Sequence, residues 1–423
     1  MPSPRVARLR FHYAFVVVAV IFLVLLVGAG LRGAPGVLLQ PLERHFGWTR
    51  SQTSLAAAIG IFLYGLMGPF AAALMQSVGI RRVVIAALLL MAASAGSSAW
   101  MTQHWHLIAT WGVLSGVASG CVAVVLGATI VNRWFVTRRG LIMGMLTAST
   151  ATGALIFIPL LAMLAERYGF RAVVLTVAGA ALTLVPITYW LLPERPSDVG
   201  LAPYGALAQL PPVAPPAHPF RNALDTLLSA ARHRDFWLLF ATFFVCGATT
   251  NGLVGTHLIA LCGDYGIPEV RAAGLLAAMG AFDLIGTTLS GWLTDRYDPR
   301  KLLFMYYGLR GLSLIWLPHS DFSFYSLSIF TVFYGLDWIA TVPPTLRLTN
   351  EAFGDARGPM VFGWVVAGHQ VGAATAAMLA GSLRSVQGNY VQAFSLAGTT
   401  GLVAALLALT IGMGRRADTL KPA

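Results

Sequence analysis

The stretch Gly291-Trp-Leu-Thr-Asp295-Arg296-Tyr297-Asp298-Pro-Arg300-Lys301 is a short charged segment between two long apolar runs. A degenerate copy, Ala72-Ala-Leu-Met-Gln76-Ser77-Val-Gly79-Ile-Arg81-Arg82, lies roughly 219 residues earlier in the 423-residue chain. It keeps a glycine and a basic pair, and has Gln-Ser where the first stretch has Asp-Arg. A charged segment repeated at half the chain length indicates a protein of two duplicated halves.

The composition is that of a membrane protein. Hydrophobic residues make up 57% of the chain and charged residues 10%, with a mean hydropathy of +0.73. A soluble domain has about 25% charged residues, so a soluble protein with a large core is excluded. The net charge of +12 does not indicate nucleic-acid binding, because no basic run is interleaved with exposed aromatic residues.

Enzyme, metal and disulfide signatures are absent from the sequence. It contains no phosphate-binding Gly-x4-Gly-Lys motif and no His-Glu-x2-His zinc motif. Cys121, Cys246 and Cys262 lie in apolar runs without Cys-x2-Cys spacing, which is typical of buried thiols. We therefore expect no enzyme activity, cofactor or metal site.

Twelve apolar runs are long enough to cross a bilayer, which takes roughly 20 helical residues. The sequence thus predicts an all-α membrane protein of twelve transmembrane helices in two pseudo-symmetric six-helix bundles. The predicted spans are 11–33, 51–76, 83–102, 105–131, 140–165, 170–192, 236–262, 270–293, 302–318, 323–346, 359–383 and 390–413.

Residues 193–219 hold eight prolines and predict an extended linker. Phe220, Leu224, Leu227 and Leu228 then share one face of an amphipathic helix, which we expect on the inner membrane surface. The predicted division is an N-terminal bundle at 1–192, a cytoplasmic linker with its helix at 193–234, and a C-terminal bundle at 235–423.

Basic residues predict the orientation. With the N-terminus inside, 20 of the 28 Lys and Arg residues fall in cytoplasmic segments and 6 in outer segments. Positive residues favour the cytoplasmic side, so both termini are predicted to be cytoplasmic. The Arg-rich, lysine-poor chain with short loops suggests the inner membrane of a bacterium, and we expect a monomer surrounded by lipid.

The charged stretch at 291–301 resembles the signature loop of the major facilitator superfamily of secondary transporters, with Asp298 at the family's usual glycine. The resemblance implies the fold described above and a substrate cavity between the two halves. It also implies that the loop residues latch the inner side of the carrier in its outward-open state. The latch residues predicted in this way are Asp295, Arg296, Arg300, Lys301, Arg81 and Arg82.

Other stretches resemble the monocarboxylate transporter and oxalate/formate antiporter group. They are Phe46-Gly47-Trp48, Asn132-Arg-Trp-Phe-Val-Thr-Arg138-Arg139-Gly140, Phe282-Asp283, Pro343-Pro344 and His369-Gln370. Animal members have an Arg one turn after the span 8 Asp, where this chain has Thr287, and a Lys in span 1. Here Arg32 lies close to the position of that Lys, and Arg310 is a candidate for the missing charge.

Ionisable residues inside the spans are the candidate site, because they are costly in a membrane unless paired or functional. Arg32 lies in span 1, where nearby glycines and Pro35 predict a loosened helix; it either reaches the outer headgroups or binds a substrate carboxylate. Arg310 in span 9 is interpreted as the partner of Asp283, either in a structural ion pair or in a switch in which protonation of Asp283 frees Arg310 to bind the substrate anion. The candidate proton carriers are Asp283 and Asp337; further candidate substrate ligands are Asn251, His257, His369 and Gln370.

These residues favour a secondary transporter that moves a small organic anion, such as a monocarboxylate, by alternating access. Coupling to protons or exchange for a counter-anion are both compatible with them. The alternatives are an efflux pump for amphipathic drugs, which needs no buried Arg, and a non-transporting membrane sensor or enzyme.

Overall fold

A computed structural model of the chain describes residues 11–48, 50–206 and 218–413. The two termini and the middle of the predicted linker, at 207–217, lie outside the described residues, as do the basic residues Arg5, Arg8, Arg10, Arg415, Arg416 and Lys421. The helices are α1 (Ala14–Phe46), α2 (Arg50–Ser77), α3 (Ile80–Ser97), α4 (His104–Leu107), α5 (Ser115–Cys121), α6 (Val124–Trp134), α7 (Arg139–Tyr168), α8 (Phe170–Leu191), α9 (Pro219–Ala230), α10 (Arg234–Gly247), α11 (Gly255–Asp264), α12 (Glu269–Thr294), α13 (Pro299–Trp316), α14 (Phe324–Asp337), α15 (Val342–Phe353), α16 (Gly358–Gln387) and α17 (Val391–Leu409).

These helices build twelve transmembrane elements. Span 4 consists of α4, a π-helical segment (Ile108–Leu114), α5 and α6. Span 7 consists of α10, a second π-helical segment (Ala248–Val254) and α11. Span 10 is α14 followed by α15. Within the described residues, ten elements are long and apolar enough to cross a membrane by composition alone, and α13 and α16 complete the set.

The chain forms two compact units. The N-terminal unit comprises Met1–Ile142 and Ser149–Asp225, and the C-terminal unit comprises Met143–Ala148 and Thr226–Ala423. Each unit contains six spans. The exception is a short stretch of α7, Met143–Ala148, which groups with the C-terminal unit.

The first helix differs from the prediction. The glycines and Pro35 were expected to loosen span 1 after Arg32, yet α1 continues to Phe46 with Pro35 and Pro41 inside it. Prolines are tolerated in membrane helices because neighbouring groups satisfy the carbonyls that they leave without a donor. The guanidinium of Arg32 is therefore held by a continuous helix.

The predicted linker also differs from a wholly extended chain. Pro196–Val199 forms a 3-10 turn, and the Tyr204 N–H donates to the Trp134 carbonyl at 2.8 Å. His12 Nε2 lies 3.1 Å from the Ala202 carbonyl oxygen. These bonds hold the described first part of the linker, up to residue 206, against the ends of α1 and α6.

Small residues allow close helix contact in both units. In the N-terminal unit, a Cβ placed on Gly116 of α5 would lie 2.7 Å from the Gly60 carbonyl oxygen of α2. In the C-terminal unit, a Cβ on Gly286 of α12 would overlap the Leu336 carbonyl of α14. Lipid supplies no hydrophobic force between helices, so such backbone proximity contributes the packing energy.

Candidate functional site

Span 10 is interrupted at the centre of the C-terminal unit. Helix α14 ends at Asp337 and α15 begins at Val342, with Pro343 and Pro344 in its first turn. Proline has no N–H to donate, so carbonyl groups in the preceding turn lose their helical partners. A broken helix at membrane depth persists only where other groups satisfy its backbone.

Arg310 of α13 satisfies two carbonyls at the end of α14, which lack helical partners because α14 stops there. Its Nη2 donates to the carbonyl oxygens of Asp337, at 2.5 Å, and Trp338, at 3.2 Å. Its Nε donates to Asp337 Oδ2 at 2.6 Å. Its Nη1 donates to Cys246 Sγ at 3.2 Å and to Thr249 Oγ1 at 3.4 Å. A guanidinium has five N–H donors, so all of them are engaged.

Asp283 of α12 serves the other side of the break. Its Oδ1 accepts from the Thr287 hydroxyl at 2.6 Å and from the Ile339 N–H at 3.0 Å. Ser290, further along the same helix, donates to the Ala340 carbonyl at 2.5 Å. The backbone freed by the break is thus satisfied by side chains of α12 and α13 together.

The predicted ion pair between Arg310 and Asp283 is wrong. Arg310 pairs with Asp337, because the guanidinium can reach that carboxylate and the freed carbonyls of the same turn at once. Thr287, which stands where animal transporters have an arginine, instead supplies a hydroxyl to Asp283. The structure still brings Asp283, Arg310 and Asp337 to the same turn of span 10.

Of the other predicted ligands, His369 lies next to Cys246, a partner of Arg310, and the rest lie elsewhere in the C-terminal unit. Asn251 is exposed in the π-helical segment of span 7. His257 contacts the Tyr390 hydroxyl at 3.1 Å with Nδ1 and the Ala377 carbonyl oxygen at 2.9 Å with Nε2. His369 and Gln370 are half-buried in α16, and the His369 ring lies 5.1 Å from the Phe243 ring. His257 is therefore engaged on both nitrogens and is not brought to Arg310.

Arg32 is the candidate site of the N-terminal unit. Its side chain is half-buried, and its guanidinium carbon lies 4.8 Å from the centre of the Tyr64 ring of α2. Among the residues that the structure describes, it has no ion pair and no hydrogen bond to another side chain. The cation is thus placed on an aromatic face, and no described residue engages its N–H donors.

Of the predicted latch residues of the second loop, Arg296 contacts a ring nearby in sequence and Arg300 is bonded there through its main-chain N–H. The Arg296 guanidinium lies 3.9 Å from the Trp292 ring centre, and Arg300 N donates to the Asp298 carboxylate at 2.9 Å. Asp295 ends α12, and Lys301 is exposed. Arg347 of α15, which the sequence did not single out, donates to the Thr294 carbonyl and so ties α15 to the end of α12.

In the first loop, Arg81 is half-buried with its guanidinium 5.9 Å from the Tyr189 ring, and Arg82 is exposed. Glu194 is a residue that the sequence analysis missed here. Its Oε2 accepts from Ile80 N at 2.5 Å and its Oε1 from Arg81 N at 3.1 Å, so it caps α3. The sequence did indicate a need for such a residue. The first loop has Gln76-Ser77 where the second has Asp295-Arg296, so the start of α3 has no carboxylate from its own loop.

The described residues contain no group of three His, Cys, Asp or Glu side chains that could hold a metal ion. The three cysteines are free and buried. The two sites therefore offer charge and hydrogen bonding: in one unit a cation that contacts only an aromatic ring among the described residues, and in the other a buried acid–guanidinium cluster.

The chain is similar to known transporters. The Major Facilitator Superfamily profile matches residues 20–346 and 285–422. The uncharacterized MFS-type transporter YcxA of Bacillus subtilis (strain 168) is 25% identical over 331 residues, covering 74% of each chain. Monocarboxylate transporter 13 of Rattus norvegicus is 28% identical over 365 residues, covering 86% of this chain and 80% of the relative.

Solved structures show the same fold. The fucose:proton symporter FucP of E. coli superposes with a TM-score of 0.69 at 17% identity, covering 94% of this chain and 98% of that one. The proton:xylose symporter XylE gives 0.71 at 14% identity, covering 93% and 94%. The resemblance read from the charged loops is thereby confirmed, and this chain belongs to the Major Facilitator Superfamily of membrane transporters, not to the enzymes.

Proposed function

We propose that this transporter carries a small organic anion, a monocarboxylate, and that Arg32 is its carboxylate ligand. The observation that carries the proposal is the guanidinium of Arg32 within a membrane helix, which no described residue engages by a hydrogen bond or an ion pair. A charged residue in a membrane span costs free energy and is retained where it pairs or functions. Among the described residues Arg32 pairs with no carboxylate, so an anionic substrate is the partner that would offset this cost.

The geometry of the Arg32 side chain suits a carboxylate. Its stem is fixed by a continuous helix, and the Tyr64 ring lies under the guanidinium at 4.8 Å. A planar guanidinium held in this way presents two parallel N–H groups to two carboxylate oxygens. A neutral amphipathic drug would leave these donors unengaged, so the site favours an anion carrier over an efflux pump.

Arg310 has a different role in this proposal. Its five donors are engaged by Asp337, Trp338, Cys246 and Thr249, so a substrate could bind it only by displacing one of them. We therefore assign Arg310 to holding the broken span 10 and to setting the charge of Asp337. Asp337 is the preferred proton carrier because its Oδ1 is buried and accepts no hydrogen bond among the described residues.

Relatives support this class of substrate and coupling. The mammalian relatives bear the name monocarboxylate transporter, and the two superposed structures are those of proton symporters. We propose proton-linked carriage in the inner membrane of a bacterium, with both termini cytoplasmic. Anion exchange is the second form of coupling that the same residues allow.

Thermal stabilisation tests the substrate class. The detergent-purified protein is heated with a panel of small carboxylates, neutral sugars and amphipathic cations, since a ligand that binds only the folded state raises the melting temperature. We expect a carboxylate to stabilise the wild-type protein and Arg271→Gln, which alters an exposed arginine, but not Arg32→Gln. Stabilisation by amphipathic cations alone, equal in all three proteins, would contradict the proposal and favour drug efflux.

A further inference from the structure

Two buried polar atoms beside Arg310 have no hydrogen-bond partner among the described residues. One is Asp337 Oδ1, on a residue that is 8% exposed, and the other is the hydroxyl oxygen of Tyr307, which is 0% exposed. Tyr307 lies one turn before Arg310 on α13, with its ring centre 5.7 Å from the guanidinium carbon. The Thr341 hydroxyl is near Tyr307 without making a bond of normal geometry.

The chemistry of the two atoms is complementary. A buried hydroxyl or carboxylate oxygen without a partner costs free energy, and such atoms in proteins are nearly always satisfied by protein or by water. An ionised carboxylate oxygen only accepts, whereas a tyrosine hydroxyl can donate. A water molecule that accepts from Tyr307 and donates to Asp337 Oδ1 would satisfy both, with the Thr341 hydroxyl as a third neighbour.

Tyr334 provides the contrast within the same cluster. Its ring centre lies 5.9 Å from the Arg310 guanidinium carbon, and its hydroxyl donates to the Thr249 carbonyl oxygen at 2.7 Å. The Tyr334 hydroxyl therefore has a hydrogen-bond partner within the protein. The hydroxyl of Tyr307 has none among the described residues, although a phenylalanine ring would fill the same buried space.

We propose that a water molecule is bound between the Tyr307 hydroxyl and Asp337 Oδ1, and that it delivers the proton to Asp337. In this step an O–H bond of a protonated water breaks, an O–H bond forms at Oδ1, and a neutral water remains. Oδ2 continues to accept from Arg310 Nε. Tyr307 is a positioning residue. The water site itself does not depend on the proposed function, and only the role of the delivered proton in transport rests on it.

The groups that face Asp337 decide how the proton is held. They are Arg310, Tyr306 and Tyr307 of α13, Asp283 of α12, Cys246 of α10 and Tyr334 of α14, with His369 of α16 acting on Cys246. Arg310 places a positive charge beside the Asp337 carboxyl group, and Asp283 places a second carboxyl group near it. Asp283 Oδ1 already accepts two bonds, whereas Asp337 Oδ1 accepts none among the described residues.

Infrared difference spectroscopy between acidic and alkaline buffer tests the water site without a transported substrate. We expect the wild-type protein to show the carbonyl band of a protonated carboxyl group together with a bound-water band that shifts in oxygen-18 water. Tyr307→Phe should lose the water band and shift the carbonyl band. Tyr334→Phe, the matched control, should keep the water band. Asp283→Asn should keep both the carbonyl band and the water band. The carbonyl band can then be assigned to Asp337 even if Asp337→Asn does not fold.

Two results would overturn the inference. One is that Tyr307→Phe keeps both the carbonyl band and the bound-water band that shifts in oxygen-18 water. The other is that the wild-type protein shows neither band. If instead the proposed function is wrong, no carboxylate of the panel raises the melting temperature, while the infrared bands behave as described. In transport assays Tyr307→Phe should slow proton-driven uptake about tenfold, the change expected when one buried hydrogen bond is lost.

Discussion

Arg310 Nε lies 2.6 Å from Asp337 Oδ2, and the Arg310 side chain is fully buried. The same guanidinium donates to the main-chain carbonyls of Asp337 and Trp338. The ion pair and the break in span 10 are therefore one structure: the charge of Asp337 holds Arg310 in the membrane, and Arg310 satisfies the backbone that the break exposes.

Removing one member of this pair should be far more damaging than removing both. Arg310→Met leaves the Asp337 carboxylate buried and unpaired, so we expect a loss of about 3–5 kcal/mol in the free energy of unfolding. The double variant Arg310→Met with Asp337→Leu should recover much of that loss while transport stays absent. Unfolding curves in detergent measure this, and additive losses in the double variant would show that the two residues do not interact.

Asp283→Asn should be mild by comparison. Both hydrogen bonds to Asp283 reach the same oxygen, Oδ1, and an amide oxygen can accept them equally. We expect the free energy of unfolding to change by at most about 1 kcal/mol, the net worth of one hydrogen bond. Asp337→Asn is the comparison, and a larger loss for Asp283→Asn would mean that its charge, not its acceptor oxygen, holds span 10.

Glu194→Gln should destabilise the start of α3. The substitution replaces one of the two carboxylate oxygens that accept from Ile80 N and Arg81 N, and it removes a negative charge from a helix N-terminus. We expect a loss of about 1–2 kcal/mol, as for other helix caps. Glu166→Gln, at an exposed position of α7, is the control, and equal stability of the two variants would show that Glu194 contributes no cap.

Gly286→Ala should prevent the close approach of α12 and α14, because its Cβ would overlap the Leu336 carbonyl. Gly280→Ala, two turns earlier on α12, places its Cβ in open space. We expect the first variant to be poorly folded, and the second to gain up to about 1 kcal/mol from the higher helix propensity of alanine. Fluorescence-detected size-exclusion profiles distinguish them, and a monodisperse peak for Gly286→Ala would contradict the packing described.

The spans and the family could be read from the sequence because apolar length and the two charged loops are local signals. The break after Asp337 was not foreseen, although Pro343 and Pro344 could have indicated it, since two missing N–H groups leave carbonyls to be satisfied. The choice of Asp337 over Asp283 as the partner of Arg310 depends on the rotation of three helices, which no local pattern specifies. Glu194 was missed because it caps a helix that begins more than a hundred residues before it.

Exchange of a radiolabelled monocarboxylate by reconstituted protein tests the central claim, that Arg32 binds the substrate carboxylate. Proteoliposomes loaded with the carboxylate that stabilises the purified protein are assayed for counterflow with wild type, Arg32→Gln and Arg271→Gln. We predict counterflow by wild type and Arg271→Gln, and an apparent affinity about ten- to a hundredfold weaker in Arg32→Gln, as expected for a lost charge-assisted bond. The melting temperature of Arg32→Gln should change little, because among the described residues Arg32 forms no ion pair or hydrogen bond and its contact with the Tyr64 ring is a weak one. Equal carboxylate affinity in Arg32→Gln and wild type would contradict the account.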